Sequence, residues 1–154
     1  MLEILTPMQK LERVSRQIDP ATFVATPGIW GQVQADGSLL NVLNTVKAKV
    51  NKLVIGSASD DKYESHDVEV GRIATLESVG ARVKCDGEGA VLASISLGDF
   101  LIVSSDTANL GKLKPVSAAT STGDYEVVAR AEEVSVSANY LIFRTISPYM
   151  VTKA

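Results

Sequence analysis

The sequence predicts an all-β fold, a small β-barrel or sandwich of short antiparallel strands with one short N-terminal amphipathic helix. Short apolar or alternating runs recur about every 8–12 residues between turn signals, which is the spacing of such folds. The most regular part of this pattern runs from the turn at Gly98-Asp99 to Glu133. The 154 residues fit one domain, because a chain of this length buries about 68–70% of its unfolded surface.

We divide the chain into an N-terminal helix or arm (1–20), a β-barrel domain (21–147) and an extended C-terminal tail (148–154). The helix is predicted to begin at Thr6-Pro7-Met8-Gln9, which combines an N-cap threonine, a proline at the first helical position and a glutamine three residues after the cap. An apolar stripe at helical spacing follows and ends at Asp19-Pro20; its members are Met8, Leu11, Val14 and Ile18. The stripe must pack on the domain's own sheet, on a neighbouring subunit or on a larger assembly, and we favour the sheet.

The next segment predicts a hairpin and a half-buried strand. Asp36-Gly37 supplies the positive φ angles of a type I′ turn, so residues 29–35 and 39–43 are expected to pair. Apolar residues then alternate with lysines over 46–53. The lysine face either meets an acidic partner or, as we favour, is solvated and protects a sheet edge.

The remaining strands are predicted at 70–77, 81–85, 90–95, 100–103, 111–116, 125–132 and 140–146. Residues 100–103 are wholly apolar and predict a buried core strand. Leu113 alternates with Lys112 and Lys114, which predicts one apolar and one solvated face, and Pro115 predicts an edge strand. Strict alternation would place Tyr125 and Arg130 on opposite faces of their strand.

Composition excludes several classes of function. Lys and Arg total 15 against 18 Asp and Glu, a net charge of -3, so the basic footprint of a nucleic-acid binder is absent. Apolar runs fall well short of the roughly 18 residues of a membrane span. Charges near the N-terminus interrupt any signal-peptide core, so we expect synthesis in the cytoplasm. The single Cys85 has no disulfide partner in the chain and is expected to serve packing.

One loop, residues 57–67, gathers residue types that handle metals or protons. Its candidate ligands are Asp60, Asp61, Glu64, His66 and Asp67. Their spacing matches neither a calcium-binding loop nor a His-Glu-x-x-His zinc helix, and the chain offers no second histidine or serine elbow for a triad. We therefore predict no catalytic residue, cofactor or metal site, and keep a small metal-binding hydrolase as the alternative.

Three segments of the C-terminal half carry a resemblance to a known family. Residues 98–103 form a Gly-Asp turn and an apolar strand, residues 111–116 a Gly-Lys strand, and residues 125–133 an Ala-rich strand. This order resembles the small β-barrel of capsid decoration (cement) proteins of tailed bacteriophages. The resemblance implies a non-enzymatic protein, usually trimeric, on the outer surface of the capsid, where it clamps major capsid subunits.

The same resemblance leaves two features open. Family members often carry an extended N-terminal arm, whereas residues 1–20 predict a helix. The Ser/Thr/Ala-rich loop 116–123 is equally compatible with a tail-tube or head-completion subunit. The protein is expected in the virion. Its expected partners are further copies of itself and the major capsid protein, and neither nucleic acid nor a membrane is expected as a partner.

Apolar residues at both termini lie outside the predicted barrel and need a surface on which to be buried. Contacts between subunits would bury them, and cyclic symmetry is the usual arrangement of identical patches. The predicted partner-contact residues are Leu2, Ile4, Leu5, Met8, Leu11, Tyr149, Met150 and Val151.

Overall fold

A computed structural model describes residues 2–18, 26–40, 50–57 and 72–154. Within these residues the chain is mostly β, has no helix of 7 or more residues and forms two antiparallel sheets, one of them a half-barrel. The predicted β-rich class is therefore confirmed. No helix in these ranges is long and apolar enough to cross a membrane.

The two sheets contain eleven strands within the residues that the structure describes. In chain order these are β1 (Leu2–Ile4), β2 (Arg13–Gln17), β3 (Trp30–Val33), β4 (Leu39–Leu40), β5 (Asn51–Ser57), β6 (Arg72–Leu76), β7 (Arg82–Cys85), β8 (Phe100–Val103), β9 (Leu113–Pro115), β10 (Gly123–Ser135) and β11 (Tyr140–Lys153). The six-stranded sheet has the order β1-β7-β11-β10-β8-β9, and the five-stranded sheet has the order β2-β6-β5-β3-β4. Strand β9 is at an edge, as Pro115 predicts.

The main core lies between the two sheets. Trp30, Leu53 and Leu76 of the five-stranded sheet belong to one buried cluster with Leu101 and Phe143 of the six-stranded sheet. The Trp30 and Phe143 rings lie 6.4 Å apart. Inward residues alternate with outward ones along each strand because successive side chains point to opposite faces.

The edges of the five-stranded sheet approach each other. Ile18, just after β2, forms a bridge with Leu39 of β4 at the opposite edge. The Arg16 guanidinium also donates to the Gly37 carbonyl over 2.9 Å. Ile18 packs on a small cluster of Leu39, Val54 and Ile73, so the sheet curls around a second, smaller core.

The predicted N-terminal helix is wrong. Residues Met8–Lys10 form only a 3-10 turn, and Arg13–Gln17 is a strand paired with β6. The Thr6 hydroxyl accepts from the backbone of Arg82 over 2.8 Å, so the predicted cap bonds the neighbouring sheet. A helix of this length is marginal in isolation, and pairing with a sheet edge stabilises the segment more.

The predicted hairpin at Asp36-Gly37 is present, but its turn type is wrong. Gly37 has a φ of 86°, whereas Asp36 is not among the described residues with positive φ. Gln34 donates to Ser38 and Gly37 donates to Gln34. This is a three-residue loop with a glycine bulge. Residues 41–49, which include three of the five residues of the predicted partner strand and most of the lysine face, lie outside the described residues.

Two further predictions fail locally. Residues 90–95 do not form a strand, because Leu92–Ser94 is a 3-10 turn in which the Ser94 hydroxyl bonds the Val91 carbonyl over 2.7 Å. The β9 lysine face is not solvated, since Lys114 is only 3% exposed. It is paired with Asp106, which makes its burial tolerable.

Both termini belong to the sheets. Leu2 pairs with Cys85 and Ile4 pairs with Val83. Residues 148–153, predicted as an extended tail outside the barrel, continue β11 and pair with the start of β10, from Val127↔Tyr149 to Gly123↔Lys153. Their extended conformation agrees with the prediction, but their position outside the barrel does not.

Candidate functional site

The N-terminal contact candidates lie against the chain's own sheet. Leu2 and Leu11 pack on the main core, and Ile4 and Leu5 are partly buried. Met8 lies in the 3-10 turn. Much of this set is therefore already covered, as expected if the segment closes its own core.

The C-terminal candidates are more accessible. Tyr149 and Met150 are each 44% exposed, and successive residues of β11 point to opposite faces. Val151 instead packs against a separate apolar cluster. Tyr149 and Met150 thus remain available for contacts on two sides of the same strand.

This separate cluster lies on the outer face of the six-stranded sheet. Ile102 alternates with Leu101 and Val103, so it points away from the main core and packs with Val127 and Tyr125. A bulge between Val127 and Ala129 places Val127 outward while Val128 and Ala129 both join the main core. The outer face therefore has its own small apolar centre.

Two aromatic rings extend this apolar centre into solvent. Phe100 is 48% exposed, although its strand was predicted to be buried, and its ring meets that of Tyr149 edge-on at 6.3 Å. The Arg130 guanidinium lies over the Phe100 ring at 5.6 Å. Cation–π contact of this kind orients the guanidinium while leaving its donors accessible.

Arginines continue the surface across the sheet. Arg82 is the cross-strand partner of Arg144, and Arg144 is the partner of Arg130. One Glu132 oxygen accepts from Arg82 Nε over 2.9 Å, and the other accepts from Arg144 Nε over 3.0 Å. These two arginines lower the pKa of Glu132, with the Arg144 hydrogen bond as the largest cause.

We call Arg82, Arg130, Arg144, Phe100 and Tyr149 the arginine–aromatic surface. No protein family, curated protein or solved structure matches the chain. The arginine–aromatic surface is therefore interpreted from its own geometry. Exposed arginine and tyrosine on a rigid sheet are the residue types that dominate the energetics of protein interfaces.

A buried ion pair lies elsewhere on the six-stranded sheet. Lys114 of β9 is paired with Asp106, and the Thr120 hydroxyl donates to the second Asp106 oxygen over 2.6 Å. The Lys114 hydrogen bond is the main cause of the lowered pKa of Asp106. Because the charges of Lys114 and Asp106 neutralise each other, we interpret this cluster as structural.

A polar seam joins the two sheets. Asn51 of β5 donates its backbone N–H to Glu126 of β10 over 3.0 Å, and a cavity of about 30 Å³ lies nearby between Trp30, Asn51, Val128 and Thr145. Among the described residues, the buried side-chain polar atoms without a hydrogen-bond partner belong to Trp30, Gln32 and Asn51. The cavity has room for about one water molecule, so it is too small for an organic ligand.

The acidic loop and the cysteine complete the predicted candidates. Residues 58–71, which contain Asp60, Asp61, Glu64, His66 and Asp67, lie outside the described residues. Within the part of the chain that is described, no group of three or more His, Cys, Asp or Glu could hold a metal. Cys85 is buried, and burial is the main reason that its pKa rises to about 12, so its thiol is unsuited to nucleophilic chemistry.

Sequence analysis found Tyr149 but missed the rest of the arginine–aromatic surface. Phe100 belongs to a wholly apolar run, which predicts burial. Strict alternation would place Arg130 on the opposite face of β10 from Tyr125, which packs in the apolar cluster of the outer face. The bulge after Val127 overrides that alternation. The outward direction of Arg82 was readable from its alternation with Val83, but its alignment with Arg144 depends on strand register.

Proposed function

We propose that the chain is a structural protein of a tailed-bacteriophage virion, namely a capsid decoration protein that binds and stabilises the outer surface of the major capsid lattice. In this proposal it is not an enzyme, and its small β-barrel or sandwich acts as a rigid mount for contact residues. The resemblance of residues 98–133 to decoration proteins is one support. The exposed Phe100–Tyr149 pair beside Arg130 is the observation that carries the proposal.

The arginine–aromatic surface has the properties of a protein-binding face. Phe100 and Tyr149 offer large apolar area next to guanidinium donors, and Arg130 has a cross-strand partner on each side, Phe100 and Arg144. Contact residues held on strands lose little conformational freedom on binding, which favours affinity. Nearby Leu97, which is 73% exposed, would enlarge the apolar contact.

Assembly into a homotrimer is part of the proposal. A cyclic oligomer presents the same surface several times to a repeating lattice, so weak single contacts add up to strong binding. Met150, on the opposite side of β11 from Tyr149, is a candidate for contacts between copies. Sedimentation equilibrium of the purified protein is expected to give a trimer; a monomer at all concentrations would contradict this part.

The main test uses the phage that encodes the chain. Its purified virions are separated into heads and tails, and the protein is expected in the head fraction. Phage lacking the gene is expected to form heads that release DNA at a lower temperature, and added protein is expected to restore their stability. Recovery in tails would instead identify a tail subunit, and absence from virions would refute the proposal.

A matched pair of variants tests the surface itself. Phe100→Ser with Tyr149→Ser is expected to abolish restoration of the heads, because both exposed rings are removed. Val136→Ser removes an apolar side chain that is 61% exposed at the distant β10–β11 turn, and is expected to behave as wild type. Equal loss in both variants would show that the arginine–aromatic surface has no special role.

A further inference from the structure

Three arginine side chains follow one another across the outer face of the six-stranded sheet. The register aligns Arg82 with Arg144, Arg144 with Arg130 and Arg130 with Phe100. Directly opposed residues have Cβ atoms about 5 Å apart, and like charges in such positions are destabilising. The row therefore needs negative charge to offset its repulsion, in a chain whose net charge is -3.

The first pair of the row shows how a carboxylate offsets this repulsion. Glu132 lies between Arg82 and Arg144 and accepts from the Nε atom of each, over 2.9 and 3.0 Å. Each Glu132 oxygen accepts from one guanidinium, so a single carboxylate joins two arginines on neighbouring strands. Charge-assisted hydrogen bonds of this kind are the strong ones.

The second pair has no equivalent bridge. Arg130 forms no ion pair with any carboxylate in the described part of the chain, and its guanidinium lies over the Phe100 ring. Arg144 donates from Nε to Glu132 and from Nη1 to the Gly80 carbonyl, and its Nη2 donates to none of the described residues. The register opposes Arg130 and Arg144 as it opposes Arg144 and Arg82, but no carboxylate of the described residues joins the guanidinium groups of the second pair.

A groove beside Arg130 provides access for such a group. It has a volume of about 280 Å³ and is lined by Leu97, Gly98, Arg130, Ala131 and Glu132. Leu97 and Phe100 add exposed apolar area at its border. A ligand that fits this surface combines one negative charge with an apolar neighbour.

We propose that the Arg130–Arg144 pair binds an Asp or Glu side chain of a partner protein, whose neighbouring apolar residue packs on Phe100 and Leu97. The carboxylate would complete the row as Glu132 does at Arg82 and Arg144. A nucleic acid is a poorer fit, because successive phosphates would approach the Glu132 carboxylate. The proposal deepens the decoration function and rests on it for the nature of the partner, an acidic segment of the capsid shell.

The first test measures binding of the full-length protein to capsid shells that lack it. Arg130→Gln is expected to weaken binding about tenfold, since a charge-assisted contact is lost. Arg130→Lys is expected to fall between Gln and wild type, because lysine keeps the charge but not the bidentate, ring-stacked geometry. Lys10→Glu, a charge reversal on the exposed N-terminal turn, serves as the control and is expected to bind normally.

The second test needs no shell. Poly-L-glutamate is titrated into the protein while the side-chain Nε–H signals of Arg130 and Arg144 are followed by NMR. Both signals are expected to shift in wild type, more weakly in higher salt, and the Arg144 shift is expected to be lost in Arg130→Gln. Unshifted signals, or tighter binding of duplex DNA or polyphosphate at the same arginines, would overturn the proposal.

The two tests separate the failure of this inference from the failure of the proposed function. Wild-type protein that binds shells, with Arg130→Gln binding equally well, would refute the arginine site and leave the decoration function standing. Failure of the wild-type protein to bind shells would refute the decoration function. The glutamate titration would still decide whether the arginine row binds carboxylates. A melting temperature of Arg130→Gln at or above that of wild type confirms that the variant is folded.

Discussion

At the scale of single residues, the pair of Lys114 and Asp106 shows how an edge strand accommodates a charge. Lys114 is 3% exposed and its ammonium donates to Asp106, which also accepts from Thr120. An unpaired ammonium in this position would lose its hydration without compensation. The ion pair therefore matters less as a source of stability than as the condition for burying Lys114.

Removing Asp106 should consequently be costly. We expect Asp106→Ala to lower the free energy of unfolding by about 3 kcal/mol, because it leaves a buried charge unpaired. Asp106→Ala combined with Lys114→Met should recover most of that loss, since neither charge remains. Urea denaturation measures both variants, and a loss well below 1 kcal/mol in the single variant would show that Lys114 reaches solvent.

At the scale of elements, the approach of the segment before β9 to β3 fixes how the two sheets are joined. Trp30 donates its backbone N–H to the Gly111 carbonyl over 2.9 Å. A Cβ atom on Gly111 would lie 2.6 Å from Ile29 Cγ2 and 2.8 Å from the Trp30 carbonyl oxygen. Glycine is required here by space as well as by its φ of 80°.

A pair of glycine substitutions separates these two requirements. Gly80 has a similar φ of 82°, but nothing lies within 4 Å of a Cβ atom built on it. We expect Gly80→Ala to cost about 1 kcal/mol from backbone strain alone. Gly111→Ala should cost about 2 kcal/mol more, because the clash must also move β3. Equal losses of stability on denaturation would show that the sheets can shift apart freely.

At the scale of the whole molecule, the polar seam between the sheets makes stability depend on pH. Burial raises the pKa of Glu126 above its usual 4.5, although the Asn51 N–H and the Lys52 charge oppose this. The folded protein thus holds this proton more tightly than the unfolded chain does. Ionisation of Glu126 reduces stability as the pH rises from about 4.5 through the folded pKa.

The variant Glu126→Gln tests this linkage, since its amide oxygen still accepts from Asn51. We expect a higher melting temperature than wild type at pH 7, with the difference closing below pH 4.5, where Glu126 is neutral in both folded and unfolded states. The lowered pKa of Asp106 acts in the opposite sense, because its contribution is lost as the pH falls below its usual 3.8. This loss occurs in both proteins and cancels in the comparison. A difference independent of pH would contradict the assignment.

Strands were predicted well where local signals suffice. The apolar run at β8 and the alternation at β7 correctly predicted these two strands. Pro115 correctly predicted that β9 lies at an edge of its sheet. The N-terminal segment was wrongly predicted as a helix because the same apolar spacing arises when the residues flanking a strand pack on two different clusters. Leu11, before β2, packs on the main core, and Ile18, after β2, packs on the smaller one. Periodicity alone does not distinguish one helical face from contacts with two cores.

The arginine–aromatic surface illustrates what residue types can and cannot predict. The accessibility of Tyr149 followed from the amphipathic end of the chain, whereas the alignment of Arg82, Arg144 and Arg130 required knowledge of which strands are neighbours. Strands β7, β11 and β10 are neighbours in the sheet, but β7 is separated from the other two by more than thirty residues of sequence. No local pattern carries such a register.

The sequence by itself determined the β-rich class and most strand positions, because these follow from alternation and turn residues. Tertiary structure alone decided the fate of both termini, the burial of Lys114 and the alignment of the arginines across the sheet. These depend on bulges and on pairing between distant strands, whose free energies come from contacts that do not exist until the sheets have formed.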